Sequence, residues 1–112
     1  MKRVTLPAQL GPVQSLHFLG IGGAGMSGLA ELAAAAGFQV SGCDAAETPV
    51  LARLRERGIA VYSGHDAHHV QQADVLVVTS AVRADHPEVA AFASQRRPIV
   101  KRAALLGWLA SG

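Results

Sequence analysis

The stretch Leu16-His17-Phe18-Leu19-Gly20-Ile21-Gly22-Gly23-Ala24-Gly25-Met26 constrains this chain more than any other, because an apolar run enters a cluster of glycines and leaves it as an alanine-rich helical pattern. Gly20, Gly22 and Gly25 have the G-x-G-x-x-G spacing of a nucleotide-binding strand-to-helix turn. In such a turn the first glycine allows the tight bend, the second leaves no Cβ between backbone and phosphate, and the third lets helix and strand pack closely. The following helix directs unpaired N–H groups at the ligand, and its dipole favours an anion by roughly 0.3–2 kcal/mol. No side-chain cation is needed for that. Glycine is common here, 12 of 112 residues, so the spacing gains its meaning from the strand before it and the helix after it.

The remaining chain repeats that alternation. Residues 1–14, with Pro7, Gly11 and Pro12 and no periodicity, read as a leading arm. Leu16 to Leu19 read as a strand covered on both faces, with His17 a partly buried strand residue. Met26, Leu29, Ala30 and Ala33 recur at helical spacing, and Gly37 supplies the left-handed stop. Phe38 to Gly42 form a second strand ending in Cys43-Asp44. Thr48-Pro49 then starts a helix, with the hydroxyl as cap and the proline in the first turn. Leu51 and Leu54 face inward, Arg53, Arg55, Glu56 and Arg57 form a solvated face, and Gly58 closes the helix.

Ile59 to Tyr62 give a third strand, followed by Ser63-Gly64-His65 and a short helix over Ala67 to Gln71. Val75 to Val78 give a doubly covered fourth strand that leads into Thr79-Ser80-Ala81-Val82. Pro87 opens a helix through Val89, Phe92 and Ala93, Pro98 to Val100 form a last strand, and Ala103 to Leu109 a closing helix. Successive β and α units with short links imply a doubly wound, mostly parallel, Rossmann-like α/β sheet of about five strands, with helices on both faces, over residues 15–112.

Ligands of such sheets sit outside the carboxyl ends of the strands, at the switch point. The candidate binding residues are therefore Gly20, Gly22, Gly23, Ala24, Gly25 and Met26 after the first strand, Asp44 after the second, His65 after the third, and Ser80 and Ala81 after the fourth. Asp44 lies nineteen residues past Gly25, where an acidic side chain accepts from a ribose hydroxyl. Its competing role is to cap the turn that follows.

Other chemistries are disfavoured. His65, His68 and His69 lack a nearby Cys or carboxylate at zinc-finger spacing, so no metal site is expected. No nucleophile and base stand at recognisable spacing, and G-x-x-x-x-G-K-[ST] is absent, so no catalytic residue is assigned. A formal charge of +2 without a Lys/Arg block does not point to nucleic acid. One cysteine excludes an internal disulfide, and no apolar run approaches a membrane span or a signal peptide. The expected location is the cytoplasm.

The wording of the motifs carries a further signal. His17-Phe18-Leu19-Gly20-Ile21-Gly22-Gly23-Ala24-Gly25-Met26-Ser27-Gly28-Leu29-Ala30-Glu31 resembles the opening signature of the Mur ligase family of peptidoglycan synthesis, at the member that adds L-alanine first. Val40-Ser41-Gly42-Cys43-Asp44, Gly64-His65, Ala73-Asp74-Val75, Thr79-Ser80-Ala81-Val82, Pro87-Glu88 and Arg102-Ala103 match later positions in the same order. The resemblance implies the UDP-N-acetylmuramate-binding N-terminal domain of a three-domain, ADP-forming ligase. ATP and Mg²⁺ would bind in a central domain beyond this chain, where the muramate carboxylate becomes an acyl phosphate for attack by L-alanine. On that basis Gly22 to Met26 meet the diphosphate, and Asp44, His65 and Ser80 meet the uridine or sugar.

The chain alone is expected to bind without turning over. Its sequence departs from the family pattern where Cys43 replaces the usual serine, His86 an asparagine and Lys101 an arginine. The residues by themselves also suit an NAD-type dinucleotide module of an oxidoreductase or a nucleotide-sensing regulatory domain.

Overall fold

The computed structural model describes residues 13–64, 73–83 and 85–111. Five strands, β1 (Ser15–Leu19), β2 (Gln39–Asp44), β3 (Ala60–Ser63), β4 (Val75–Val78) and β5 (Ile99–Lys101), form one sheet in the order β3-β2-β1-β4-β5. Every pairing is parallel. The chain builds outward from β1 to β3, then returns to build from β4 to β5. The direction of building therefore reverses between β1 and β4, which is the switch point the doubly wound reading requires.

Helices α1 (Met26–Ala35), α2 (Pro49–Glu56), α3 (Pro87–Ser94) and α4 (Arg102–Ser111) cover the sheet. Their buried residues divide between its faces. Leu16 and Phe18 of β1 and Val75 and Val77 of β4 pack with Met26 and Leu29 of α1, Leu51 and Leu54 of α2, and Leu105 and Leu109 of α4. Leu19, Cys43, Leu76 and Val78 project to the other face, where Val89 and Phe92 of α3 meet them. Alternation along each strand enforces the split, since neighbouring residues point to opposite faces. All four residues of β4 are buried, as a doubly covered strand demands.

Three expectations need adjustment. Strand β2 continues through Cys43 and Asp44 because Cys43 pairs with Tyr62 and Asp44 with Ser63, and β3 correspondingly ends at Ser63. Thr48 precedes α2, but its hydroxyl makes no capping bond, so Pro49 and packing of Leu51 and Leu54 set that helix start. His17 is fully buried rather than partly so. The helix expected over Ala67–Gln71 lies outside the described residues, as do His65, His68, His69 and most of the arm.

The arm's last two residues belong to the fold: Val13 packs against the core, and the Gln14 amide donates to Asp74 Oδ2 at 2.8 Å. The Ser15 amide reaches the same oxygen at 3.0 Å, so Asp74 clips the entry of β1 beside β4. Burial pulls the Asp74 carboxyl upward, yet these amides, the Ser15 hydroxyl and the Arg97 charge outweigh it and hold it below the usual carboxylate value.

Candidate functional site

Because every strand is parallel, all carboxyl ends lie along one edge, and the turn from Gly20 to Gly25 occupies the exit of β1. Gly20 and Gly25 sit at φ of 74° and 82°, a region closed to most side chains, so the first and third glycines are conformational necessities. The turn folds back on β2, with the amides of Gly20 and Ile21 both donating to the Cys43 carbonyl at 2.8 and 3.0 Å. The Gly23 amide donates to Gly20 O, and those of Met26 and Ser27 to Gly23 O.

The Gly22 amide is the surprise. It donates to Asp44 Oδ2 at 2.9 Å, so one of the donors expected to face a ligand is capped by the protein itself. A Cβ on Gly22 would lie 3.0 Å from both Asp44 Oδ2 and Leu51 Cδ2. Glycine is needed there to admit a carboxylate and a core leucine. The Met26 side chain is buried in the core, and its amide donates to Gly23 O. The exposed part of the turn is Gly23, Ala24 and Gly25, and the amides of Ala24 and Gly25 make no hydrogen bond to another described residue. The donors of this turn thus reduce to two.

Asp44 thus ties down the preceding glycine turn rather than the turn that follows it, and keeps acceptor capacity, since among the described residues only a long 3.4 Å contact from the Ala46 amide reaches its Oδ1. The Asp44 carbonyl accepts from the Gly64 amide at 2.7 Å, which joins the end of β3 to the same knot. Ser80 and Ala81 are exposed in the turn after β4, on the same edge of the sheet. His65 lies outside the described residues.

Two residues at this edge were not singled out from sequence. Gly42 lies under the turn, where a Cβ would fall 2.5 Å from Ile21 Cδ1 and 2.8 Å from the Phe18 carbonyl oxygen. Only glycine lets Ile21 seat there. Arg102 opens α4 and reaches toward Gly25, whose Cβ would lie 3.2 Å from its Nη1. The guanidinium is partly exposed and makes no ion pair or hydrogen bond with another described residue. Its sequence signal was only a motif match, because nothing in the spacing brings residue 102 to residue 25. At the rim, hydrogen bonds from Arg55 and then Ser63 lower the Glu47 carboxyl to about 2.

A second group of polar residues lies on the α3 face, under the sheet. His17 Nε2 is 3.0 Å from Glu88 Oε1, both side chains being fully buried, and His17 Nδ1 is 2.8 Å from Ser41 Oγ. The Cys43 thiol donates to Glu88 Oε2 at 2.9 Å and Oε1 at 3.1 Å. Burial first, then the adjacent carboxylate, push that thiol well above its usual value, so it is no nucleophile. Cys43 points away from Asp44, to the opposite face, so its replacement of serine leaves the glycine turn untouched. The His86 imidazole caps α3, accepting from the Glu88 amide at 3.1 Å in place of the family's asparagine.

Residues 15–112 match the family described as "Mur ligase family, catalytic domain". The chain is 50% identical over 104 residues to a UDP-N-acetylmuramate–L-alanine ligase of Rhodopseudomonas palustris, covering 93% of this chain and 22% of that protein. Among solved structures it resembles the UDP-N-acetylmuramate–alanine ligase of Thermotoga maritima, with a TM-score of 0.78 and 36% identity over 85% of this chain and 22% of the other. The UDP-N-acetylmuramate:L-alanyl-gamma-D-glutamyl-meso-diaminopimelate ligase of Neisseria meningitides gives a TM-score of 0.74 and 37% identity, over 81% of this chain and 29% of the other. The chain spans about 22% of the length of the curated relatives it matches.

Proposed function

The chain belongs to the Mur ligase family, and from that premise we propose that it is the UDP-N-acetylmuramate-binding domain of a ligase that joins L-alanine to that sugar nucleotide. The observation that carries the site assignment is the pair of amides at Ala24 and Gly25, without partners among the described residues, beside the Arg102 guanidinium at the switch point. A diphosphate is the anion such a place favours, with oxygens for both amides and a charge for the arginine. Asp44 holds the turn with one oxygen and offers the other to a ribose hydroxyl, while Ser80 and Ala81 border the same edge. His65 belongs to the same proposal through its place in the motif.

The division of labour follows from what the residues offer. They bind and orient; no described nucleophile and base stand together on this edge, and no P-loop motif occurs in the sequence. ATP and Mg²⁺ belong to the remaining length of the ligase, where they supply the phosphoryl group that activates the muramate carboxylate. The enzyme so proposed works in the cytoplasm. Among the described residues no helix is long and apolar enough to cross a membrane.

Titration of the chain with UDP-N-acetylmuramate, UDP and NADH, followed by backbone amide shifts, tests the reading. The expected result is saturable movement of the Ala24 and Gly25 signals with both uridine ligands and the tighter response to the sugar nucleotide. Preferential binding of NADH, or shifts confined to residues away from this edge, overturns it.

A further inference from the structure

Among the described residues, His17, Cys43 and Glu88 form the one group of three whose potential ligand atoms lie within 4.8 Å of one another, and all three are buried. We propose that this group is a structural zinc site, held between β1, β2 and α3 on the face of the sheet opposite the glycine turn. One nitrogen, one sulfur and one carboxylate form a mixed donor set that suits Zn²⁺, whereas Mg²⁺ and Ca²⁺ take oxygen alone.

The geometry supports it at three points. His17 Nδ1 is held by Ser41 Oγ at 2.8 Å, which fixes the ring and leaves Nε2 facing the cluster, as the outer partner of a metal-bound histidine does. Cys43 Sγ lies within 3.1 Å of both Glu88 oxygens, so the carboxylate edge faces the thiol and both oxygens can ligate, closing the site without an open position. The present contacts of 2.9–3.1 Å need to widen by about 0.5 Å to admit an ion at ordinary Zn–N, Zn–O and Zn–S lengths, in a distorted four-coordinate geometry set by the narrow carboxylate.

Charge balance points the same way. The Glu88 carboxylate, buried in an apolar ring of Leu19, Leu76, Val78, Val89 and Phe92, needs polar partners, and His17 and Cys43 supply them through the same atoms that would bind the ion. Binding of Zn²⁺ displaces the thiol proton to solvent, together with any proton on the carboxyl or on Nε2. The thiolate and carboxylate then cancel the ion's two charges, with the imidazole neutral.

Cobalt(II) refolding is the test, because Cys43 is the single cysteine and any thiolate-to-metal charge-transfer band must come from it. The chain is refolded from denaturant with Co²⁺, the native far-ultraviolet spectrum is verified, and Zn²⁺ is then used to compete. The expected result is one equivalent of Co²⁺ with a near-ultraviolet charge-transfer band that Zn²⁺ abolishes. Cys43→Ser removes the band, and Ser41→Ala weakens Zn²⁺ affinity by about 10–100-fold while the fold persists. A natively folded chain that takes up no Co²⁺, or takes it up without the band, overturns the proposal. Equal Zn²⁺ affinity in wild type and Cys43→Ser does so as well.

Discussion

The two faces of the sheet are closed by different chemistry. Under α1, α2 and α4 the packing is apolar throughout, with Phe18, Met26, Leu51, Leu54 and Leu105 interlocked. Under α3 a smaller apolar ring encloses a histidine, a thiol and a carboxylate. An apolar face loses stability in proportion to the volume removed and is indifferent to pH. A polar-hearted face depends on partners, because removing one leaves the others buried and unpaired. Both helix layers hold the same sheet, yet they should fail in different ways.

The strongest test is Glu88→Ala, expected to lose about 3–5 kcal/mol because His17 and Cys43 lose their shared acceptor in a dry interior. Leu51→Ala on the other face is expected to lose about 2–5 kcal/mol. Urea unfolding of both variants checks the two losses, and a Glu88→Ala loss no larger than that of Leu51→Ala would erase the contrast.

Next in size is Gly42→Ala, on the apolar face directly below the glycine turn. The added methyl collides with Ile21 and with main-chain oxygen, so a loss of about 1–3 kcal/mol is expected in thermal or chemical unfolding, together with weakened sugar-nucleotide binding as Ile21 lifts the turn. Unchanged binding with lowered stability would uncouple core and turn.

Acid sensitivity gives smaller effects, from carboxylates at the sheet's borders. Asp74 is held below its ordinary value, so its contribution is present above the unfolded value and disappears as pH falls through the folded one. Asp74→Asn should therefore flatten that part of the stability profile and leave the region well below both values unchanged. The Glu47 pair with Arg55 is exposed and expected to matter least. Its contribution disappears as pH drops from about 4.5 to about 2, and 1 M salt should weaken it further.

What could be read from the sequence follows the same division. The turn, the order of elements and the inward residues of α1 and α2 come from local signals: glycine spacing, helical periodicity and β-branched runs. The Met26, Leu29, Ala30 and Ala33 stripe is buried as its spacing requires. Three features escaped because they exist only across the sheet. Asp44 meets Gly22 through the pairing of β1 with β2, Arg102 meets Gly25 because β5 lies two strands from β1 in the sheet, and Glu88 meets His17 only once α3 lies over β1. A faint signal was present in the last case. His17 pairs with Ser41, two residues before Cys43, so those side chains share a face, and an acidic residue straight after Pro87 sits in the first turn of the helix covering it.

The amides of Gly20, Ile21, Gly22 and Gly23 are all tied down within the protein, three of them to β2 itself. An arriving anion therefore finds a seat already rigid, with little loop freedom to surrender; ordering rotamer-rich side chains costs about 0.5–1.5 kcal/mol each. Among the described residues, Arg102 is a long side chain beside that seat still to be immobilised. Association should accordingly proceed as docking onto a preset surface, with occupancy lifetime, more than arrival rate, responding to substitutions in the turn.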